Sequence, residues 1–297
     1  MIDPKKILAI CKFSKLEYDK RTYNLNTRAL IRKYNQEHIH HEVIVDSHVE
    51  QRECIRLAKK LLPESTFINT PDLPQTQTDD KDLLVSIGGD EHFKYVIHNS
   101  VQGKLLLNVR SDNLKSEGAL STCNRFNLKE MVDQIHSETY LVENWVRLEA
   151  HLNDQPIEKA IDTIYVGEKN GTRMSRYVLH FKDRFEEQKS SGLLIVTGAG
   201  STGWFRSAGG RPFPRNARTG KFLAREMYVG TKTGSSMRDG VFHEEETIEI
   251  HSLMDDQSIV EIDSIKEYPF KRGDKLKVNV SREFLNVMIF NPEYGKN

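Results

Sequence analysis

The stretch LLVSIGGDEHFKYV, residues 83 to 96, restricts the fold more than any other part of the chain. An apolar run broken by one serine suits a strand buried on both faces, and such strands belong to parallel sheets covered by helices. The run stops at Gly88 and Gly89, an acid follows at Asp90, and after His92 the apolar spacing turns helical. Strand, glycine turn and helix in that order form one step of a βαβ unit. Ligands on open sheets of such units gather at the carboxyl ends of the strands, where Gly88 to Asp90 fall. KILAICK (6–12) and KLLLN (104–108) supply two further buried strands. Between them, Val43, Val49, Cys54, Leu57, Ala58 and Leu61 lie largely on one helical face, and Pro63 follows where a helix would stop. PDLPQTQTDDKD (71–82) is a polar connector with two prolines. Residues 1–125 therefore read as an N-terminal domain with an open parallel α/β sheet.

From about Arg147 the pattern changes. RLEAHL, IDTIYV, RYVLHF, LLIVTG, ETIEIHSL, SIVEID and KLKVNV are short strands, several alternating, with turn residues between many of them. Residues 126–280 read as a β-rich, sandwich-like second domain, to which Lys221 to Val229 is expected to add a short helix. Residues 281–297 contain REFLNVMIFNPEY, apolar enough to dock on either domain.

Composition sets the partners. Lys plus Arg and Asp plus Glu both number 43, so zero net charge gives no global attraction to nucleic acid or an anionic membrane, and an anionic ligand must be held locally. Three widely spaced cysteines, Cys11, Cys54 and Cys123, fit reduced core thiols and a cytoplasmic location better than a disulfide framework. No apolar run approaches the roughly 18 residues of a membrane helix, and the start MIDPKKILAICK lacks a secretory apolar core or transit segment. His38, His40 and His41 in EHIHH have no further Cys or Asp at ligand spacing, so a structural or solvated role is expected and no protein metal set is assigned. Trp145 is expected in the core, and Glu186 and Glu187 on a solvated hairpin face.

Two motifs carry chemistry. Gly88-Gly89-Asp90 after a strand lets backbone approach a phosphate while an acid stands at the strand tip; taken alone such a triplet is more often a tight turn with a helix-capping Asp. TGAGSTGWFRSAGG (197–210) follows the buried run LLIV and packs five glycines among hydroxyl side chains, a density of amides and hydroxyls suited to a dinucleotide or polyphosphate. The bland counterpart is a glycine-rich β-turn.

The two motifs in this order, with SAGG downstream, resemble the NAD kinase family. KFSKLEYDKRTY, NVRSDNLKSEG (108–118) and QKSSGL (188–193) are most similar to the branch typified by the mitochondrial enzyme of animals, and RMSRY (173–177) and IDSIKEYPFKRGDKLKV (262–278) match features of the second domain. The resemblance implies an α/β domain followed by a β-sandwich-like one. It also implies transfer of the γ-phosphoryl of ATP, with Mg2+, to the 2′-hydroxyl of NAD's adenosine ribose, giving NADP, in a homodimer or homotetramer. Asp90 matches the family's general base, and Gly88 and Gly89 would let the loop reach the phosphates. Asp162 matches the acidic half of an Asn-acid pair that reads adenosine. Thr202, Gly203, Trp204 and Ser207 match positions lining the dinucleotide pocket, Asn108 and Asp112 lie on the family's other NAD-facing loop, and Arg173, Ser175 and Arg176 are candidates to meet phosphate.

The departures are specific. Where the family usually has GGDGT, this chain has Glu91 and His92. Glu91 repels phosphate unless it ligates the metal, and His92 would donate to a phosphate oxygen when protonated. Ile161 stands where the pair's Asn is expected, and Ala119 near a family aromatic. A dinucleotide-binding relative without kinase activity is thus the main alternative. A lipid kinase shares the GGD strand end but not TGAGSTGW and SAGG.

Overall fold

The computed structural model describes residues 2–230, 235–255 and 257–293. The chain divides into two units, Met1–Glu143 with Asn286–Asn297, and Asn144–Leu285. The first begins with β1 (Ile7–Cys11), α1 (Lys15–Thr22), α2 (Thr27–Gln36), α3 (His41–Leu61) and β2 (Thr66–Asn69). It continues with β3 (Leu83–Gly88), α4 (Asp90–His98), β4 (Leu105–Arg110), β5 (Cys123–Asn124), α5 (Leu128–Ser137) and β6 (Leu141–Trp145). β2, β1, β3 and β4 lie side by side and parallel. All of β1 and β3 is buried, as apolar runs with at most one polar side chain demand. The chain runs from β1 outward to β2 and then crosses to the other side of β1 for β3. That reversal of order makes the carboxyl ends of β1 and β3 the switch point where open sheets bind ligands.

Two details differ from the sequence reading. Val43 and Val49 are exposed, and α3 buries Ile44, Ser47, Gln51, Cys54, Ile55 and Ala58 instead. Two polar side chains occupy the buried stripe because they are bonded there: Gln51 Nε2 donates to Ser47 Oγ at 3.2 Å, and Ser47 donates to Asp112. Secondly, the first unit runs to Glu143 rather than 125, because α5 buries Leu128, Met131, Val132 and Ile135 in the core shared with β1 and β3.

The second unit holds two six-stranded sheets. Its strands are β7 (Leu148–Leu152), β8 (Gln155–Pro156), β9 (Thr163–Glu168), β10 (Ser175–Phe181), β11 (Arg184–Ser190), β12 (Leu193–Val196), β13 (Thr219–Ala224), β14 (Asp239–His243), β15 (Ile248–Ser252), β16 (Ser258–Ile262), β17 (Lys266–Pro269) and β18 (Lys275–Val280). One sheet has the order β11-β10-β15-β18-β7-β8 and the other β14-β13-β12-β9-β16-β17, with antiparallel pairing. Their inward residues, among them Tyr177, Ile250 and Val278 from one and Val166, Ile195 and Phe222 from the other, form one core. The helix expected from Lys221 is strand β13: Phe222 and Ala224 face the sandwich core while Leu223 joins the cluster on the outer face, the alternation of a strand.

The last strand, β19 (Leu285–Ile289), returns to the first sheet, parallel to β4 and between β4 and β6. Val287 and Met288 are fully buried there, and Gln134 exchanges two bonds with the backbone of Asn291, at 2.9 and 3.1 Å. Trp145 is fully buried, and the three cysteines are free and buried. Among the described residues no helix is long and apolar enough to cross a membrane.

Candidate active site

In the first unit the expected residues gather at the switch point. Asp90 begins α4 directly after the β3 glycines. Its carboxylate is gripped by a loop that follows β4: the Ala119 N–H donates to Oδ2 at 2.9 Å and the Leu120 N–H to Oδ1 at 3.0 Å. An ionised carboxylate has roughly four acceptor sites, so each oxygen keeps one free. The gripping loop is shaped by Arg110, which the sequence reading passed over. Its Nε–H donates to Asn113 Oδ1 at 3.0 Å and its Nη1 to the Ser116 and Glu117 carbonyls at 3.3 and 3.0 Å. Gly118, at φ 65°, leaves room for that side chain. Arg110 sits inside the quoted NVRSDNLKSEG, and its cue was a cation ending a buried strand.

Glu91 is exposed and pairs with Lys94 Nζ at 2.7 Å, one helical turn away. His92 departs from the expected phosphate donor. The ring is buried, Nδ1 lies 3.0 Å from Ser86 Oγ and Nε2 lies 2.9 Å from Thr70 Oγ1, so both nitrogens are engaged inside the protein. Burial, aided by the charge of Lys12, lowers its pKa to about 3, which removes the protonated form invoked for phosphate.

Asp112 is likewise committed. Its Oδ1 accepts the Leu114 and Lys115 N–H groups at 3.0 and 3.1 Å, and Oδ2 accepts Ser47. The residue builds the loop's turn, and of its roughly four acceptor sites one on Oδ2 is left. Asn108 is fully buried; its Nδ2 donates to Ser121 Oγ at 3.2 Å, while its Oδ1 has no partner among the described residues.

In the second unit the glycine-rich loop and Asp162 come together where β9 starts and β12 ends. Thr197 N–H donates to the Asp162 carbonyl at 3.1 Å, Thr197 Oγ1 to the Ile161 carbonyl at 2.5 Å, and Gly200 N–H to Thr197 Oγ1 at 3.2 Å. A Cβ at Gly200 would collide with the Asp162 carbonyl and carboxylate. Thr163 Oγ1 donates to Asp162 Oδ1 at 2.7 Å. Behind them the buried carboxylate of Asp263, another residue the sequence reading missed, accepts the N–H groups of Ile161, Asp162 and Thr163 at 2.8, 2.9 and 2.9 Å. Ile161 itself is fully buried.

Thr202, Gly203 and Ser207 are exposed, and Ser207 Oγ donates back to the Gly203 carbonyl at 3.3 Å. Trp204 is 44% exposed, enough to offer an aromatic surface; it stacks on Tyr165 at 5.4 Å and lies under Arg225 at 4.7 Å. Arg173 and Ser175 are not part of this grouping. They follow β9 at the end opposite Asp162, roughly 20 Å away at the usual rise of a strand, and Ser175 is fully buried with its Oγ accepting the Glu168 N–H at 2.9 Å. Arg173 and Arg176 are exposed. Glu186, expected on a solvated face, holds the Ser236 and Met237 N–H groups, each at 2.9 Å, and its pKa is lowered despite partial burial.

A parallel α/β unit with an acid at its switch point, followed by a sandwich bearing a glycine-rich loop, defines a class of two-domain α/β and β-sandwich protein. No family model matches the chain. It is 25% identical over 218 residues to the NAD kinase of Thermoplasma volcanium, covering 70% of this chain and 74% of that one. Its fold matches the crystal structure of an NAD kinase from Archaeoglobus fulgidus in complex with ATP, with a TM-score of 0.66, 16% identity and coverage of 97% and 94%. It also matches yeast NADH kinase complexed with NADH, with a TM-score of 0.70, 16% identity and coverage of 99% and 86%. The chain is thus similar in sequence to a curated NAD kinase and in fold to an NAD kinase and an NADH kinase.

Proposed function

We propose that this protein is an NAD kinase that transfers the γ-phosphoryl of ATP to the 2′-hydroxyl of NAD's adenosine ribose, with Asp90 as the proton acceptor. The observation that carries the reading is the placement of Asp90 at the switch point, both oxygens fixed by backbone amides and each with acceptor capacity left. A ribose hydroxyl is a poor nucleophile, and a fixed carboxylate aligns its O–H and accepts its proton as the oxygen attacks the γ-phosphorus and the bond to the β,γ-bridging oxygen breaks, releasing ADP. Gly88 and Gly89 bring bare backbone to the same strand end. The relatives' names, and the ATP and NADH of the two matched structures, support the substrate pair.

Mg2+ fits this arrangement as the companion of ATP. Such an ion keeps several waters and needs only one or two carboxylates besides the phosphates. No described trio of His, Cys, Asp or Glu is disposed to hold an ion alone, and Glu91 is the exposed acid beside the turn. When bound, the ion would neutralise charge developing on the transferred group. Asp162, Thr202, Gly203 and Trp204 are the second unit's candidates for the dinucleotide, with Ser207 acting on the loop's own backbone. Trp204 supplies the aromatic surface. A homodimer or homotetramer, the resemblance to the animal mitochondrial branch, and a cytoplasmic location, the last resting on the three free thiols, complete the reading.

The test is NADP formation by the purified chain from NAD, ATP and Mg2+, beside Asp90→Asn. Turnover that falls by roughly 10²-fold or more in the variant, with the circular dichroism spectrum unchanged, is expected. Full activity in Asp90→Asn removes it as the base. NAD binding without turnover by wild type returns the chain to the non-kinase alternative.

A further inference from the structure

The Gly88–Asp90 turn is backed by a hydrogen-bond chain whose direction can be deduced. Thr70 Oγ1 donates to the Cys11 carbonyl at 3.1 Å and lies 2.9 Å from His92 Nε2. A hydroxyl has one proton, and the carbonyl can only accept, so Thr70 must accept from the ring. Nε2 therefore carries the hydrogen, Nδ1 is bare, and Ser86 Oγ donates to it across 3.0 Å. The sequence Ser86 to His92 to Thr70 to Cys11 runs one way. It joins the end of β1, the turn after β2, the body of β3 and the first turn of α4.

These are the elements that set where Asp90 stands. Lys12 N–H donates to the Ile87 carbonyl and Ser111 N–H to the Gly88 carbonyl, each at 3.0 Å, so backbone bonds fix β3 up to Gly88. Beyond Gly88 the N-cap of α4 is Gly89, which supplies no side-chain bond to the helix. His92 supplies the missing tether, two residues past Asp90 and packed against Gly88, where an added Cβ would lie 2.5 Å from Nδ1. We propose that His92 is a positioning residue: its neutral, Nε2-protonated ring ties the first turn of α4 to the ends of β1 and β2 and so holds Asp90 in line for phosphoryl transfer. Its bearing on transfer rests on the kinase reading above; its hold on Asp90 does not.

The experiment separates the two. In the full chain with 15N-labelled histidine, the His92 signals should be those of a neutral Nε2–H ring from pH 8 to roughly pH 4; an Nδ1–H ring, or titration near 6.5, overturns the proposal. Hydrogen exchange at the Ala119 and Leu120 amides, the groups that bond Asp90, should accelerate in His92→Ala and in Thr70→Val relative to amides of α5. Unchanged protection there also overturns it, whether or not the protein turns NAD over. If the protein is active, either variant should lose roughly 10- to 100-fold in kcat, as misplaced groups do, with KM for NAD held within about twofold. His92→Gln, whose amide can still donate toward Thr70, should recover part of the loss. Should His92→Ala fail to fold, Thr70→Val and Ser86→Ala carry the test, since each removes one bond from outside α4. A folded Thr70→Val with wild-type kcat and unchanged protection refutes positioning while leaving Asp90 as the base untouched.

Discussion

The two glycine-bearing turns meet the same demand, close backbone approach, by different means. In the loop of the second unit, an added Cβ at Gly198 would collide with the Pro214 carbonyl and one at Gly200 with the carbonyl of Asp162, so main chain leaves no alternative to glycine. In the turn of the first unit, a Cβ at Gly89 would meet only Ser116 Oγ at 3.3 Å, the end of a movable side chain. One site is shaped by backbone against backbone, the other by side chains that tether it. The glycine-rich motif is kept where backbone decides the geometry, while the first turn departs at Glu91 and His92, where side chains do.

The contrast breaks most readily at Gly198. Gly198→Ala should cost more than about 4 kcal/mol, because neither neighbouring backbone can retreat without unmaking the loop; urea unfolding or loss of soluble protein reads this directly. A stable Gly198→Ala protein would mean that the loop yields as the other turn does. Asp263→Asn comes next. Asn tolerates the residue's φ of 55° but sets an NH2 group against an amide that Asp now accepts, for a loss of about 2 kcal/mol. A loss below about 0.5 kcal/mol would show that Thr197 suffices to hold the 161–163 segment.

His92 sharpens the comparison through pH. Its folded pKa of about 3 lies below the ordinary 6.5, so between those values the unfolded chain binds a proton that the folded chain does not. Stability is fully present above pH 6.5 and falls as the pH drops toward 3, at up to about 1.4 kcal/mol per unit. His48 and His180 are shifted the same way by burial and add to the slope. The increment that disappears in His92→Gln belongs to His92. An identical slope in that variant would show that the buried ring does not carry the linkage.

Much of this was legible in the sequence, and the gaps share a cause. Apolar runs gave β1, β3 and β4, and alternation gave the sandwich strands, because burial of apolar groups is local in its periodicity. What escaped was polar and, Arg110 apart, buried. Ser47 and Gln51 turned the inner face of α3, Asp263 built a loop from inside and the half-buried Arg110 another, and Asp112 and Ser175, expected at a ligand, also bond backbone amides. A polar residue earns burial through a partner far along the chain: 65 residues separate Ser47 from Asp112, and 102 separate Ile161 from Asp263. No periodicity reports such a partner. The resemblance located Asp90, while the grip of Ala119 and Leu120 on it came only with the fold.

Glu91 should give the smallest effect and is the most direct question about the departing motif. Counted as a lone charge, it ought to repel phosphate. It is not alone: Lys94, whose side chain is only 4% exposed, pairs with it at 2.7 Å, and the spacing of three residues on a helix makes that pair local. Glu91→Gln keeps an acceptor for Lys94 and removes the charge, so stability should change by no more than about 0.5 kcal/mol. With the charge already met by a cation, kcat/KM for ATP should shift by less than about threefold, the kinetic counterpart of a change under 1 kcal/mol. A rise of tenfold or more would show that the carboxylate still opposes the nucleotide, and a comparable fall would assign it to the metal. Either result would make the first turn a site under chemical selection at its second acid, where the ion pair alone makes it a surface feature of α4.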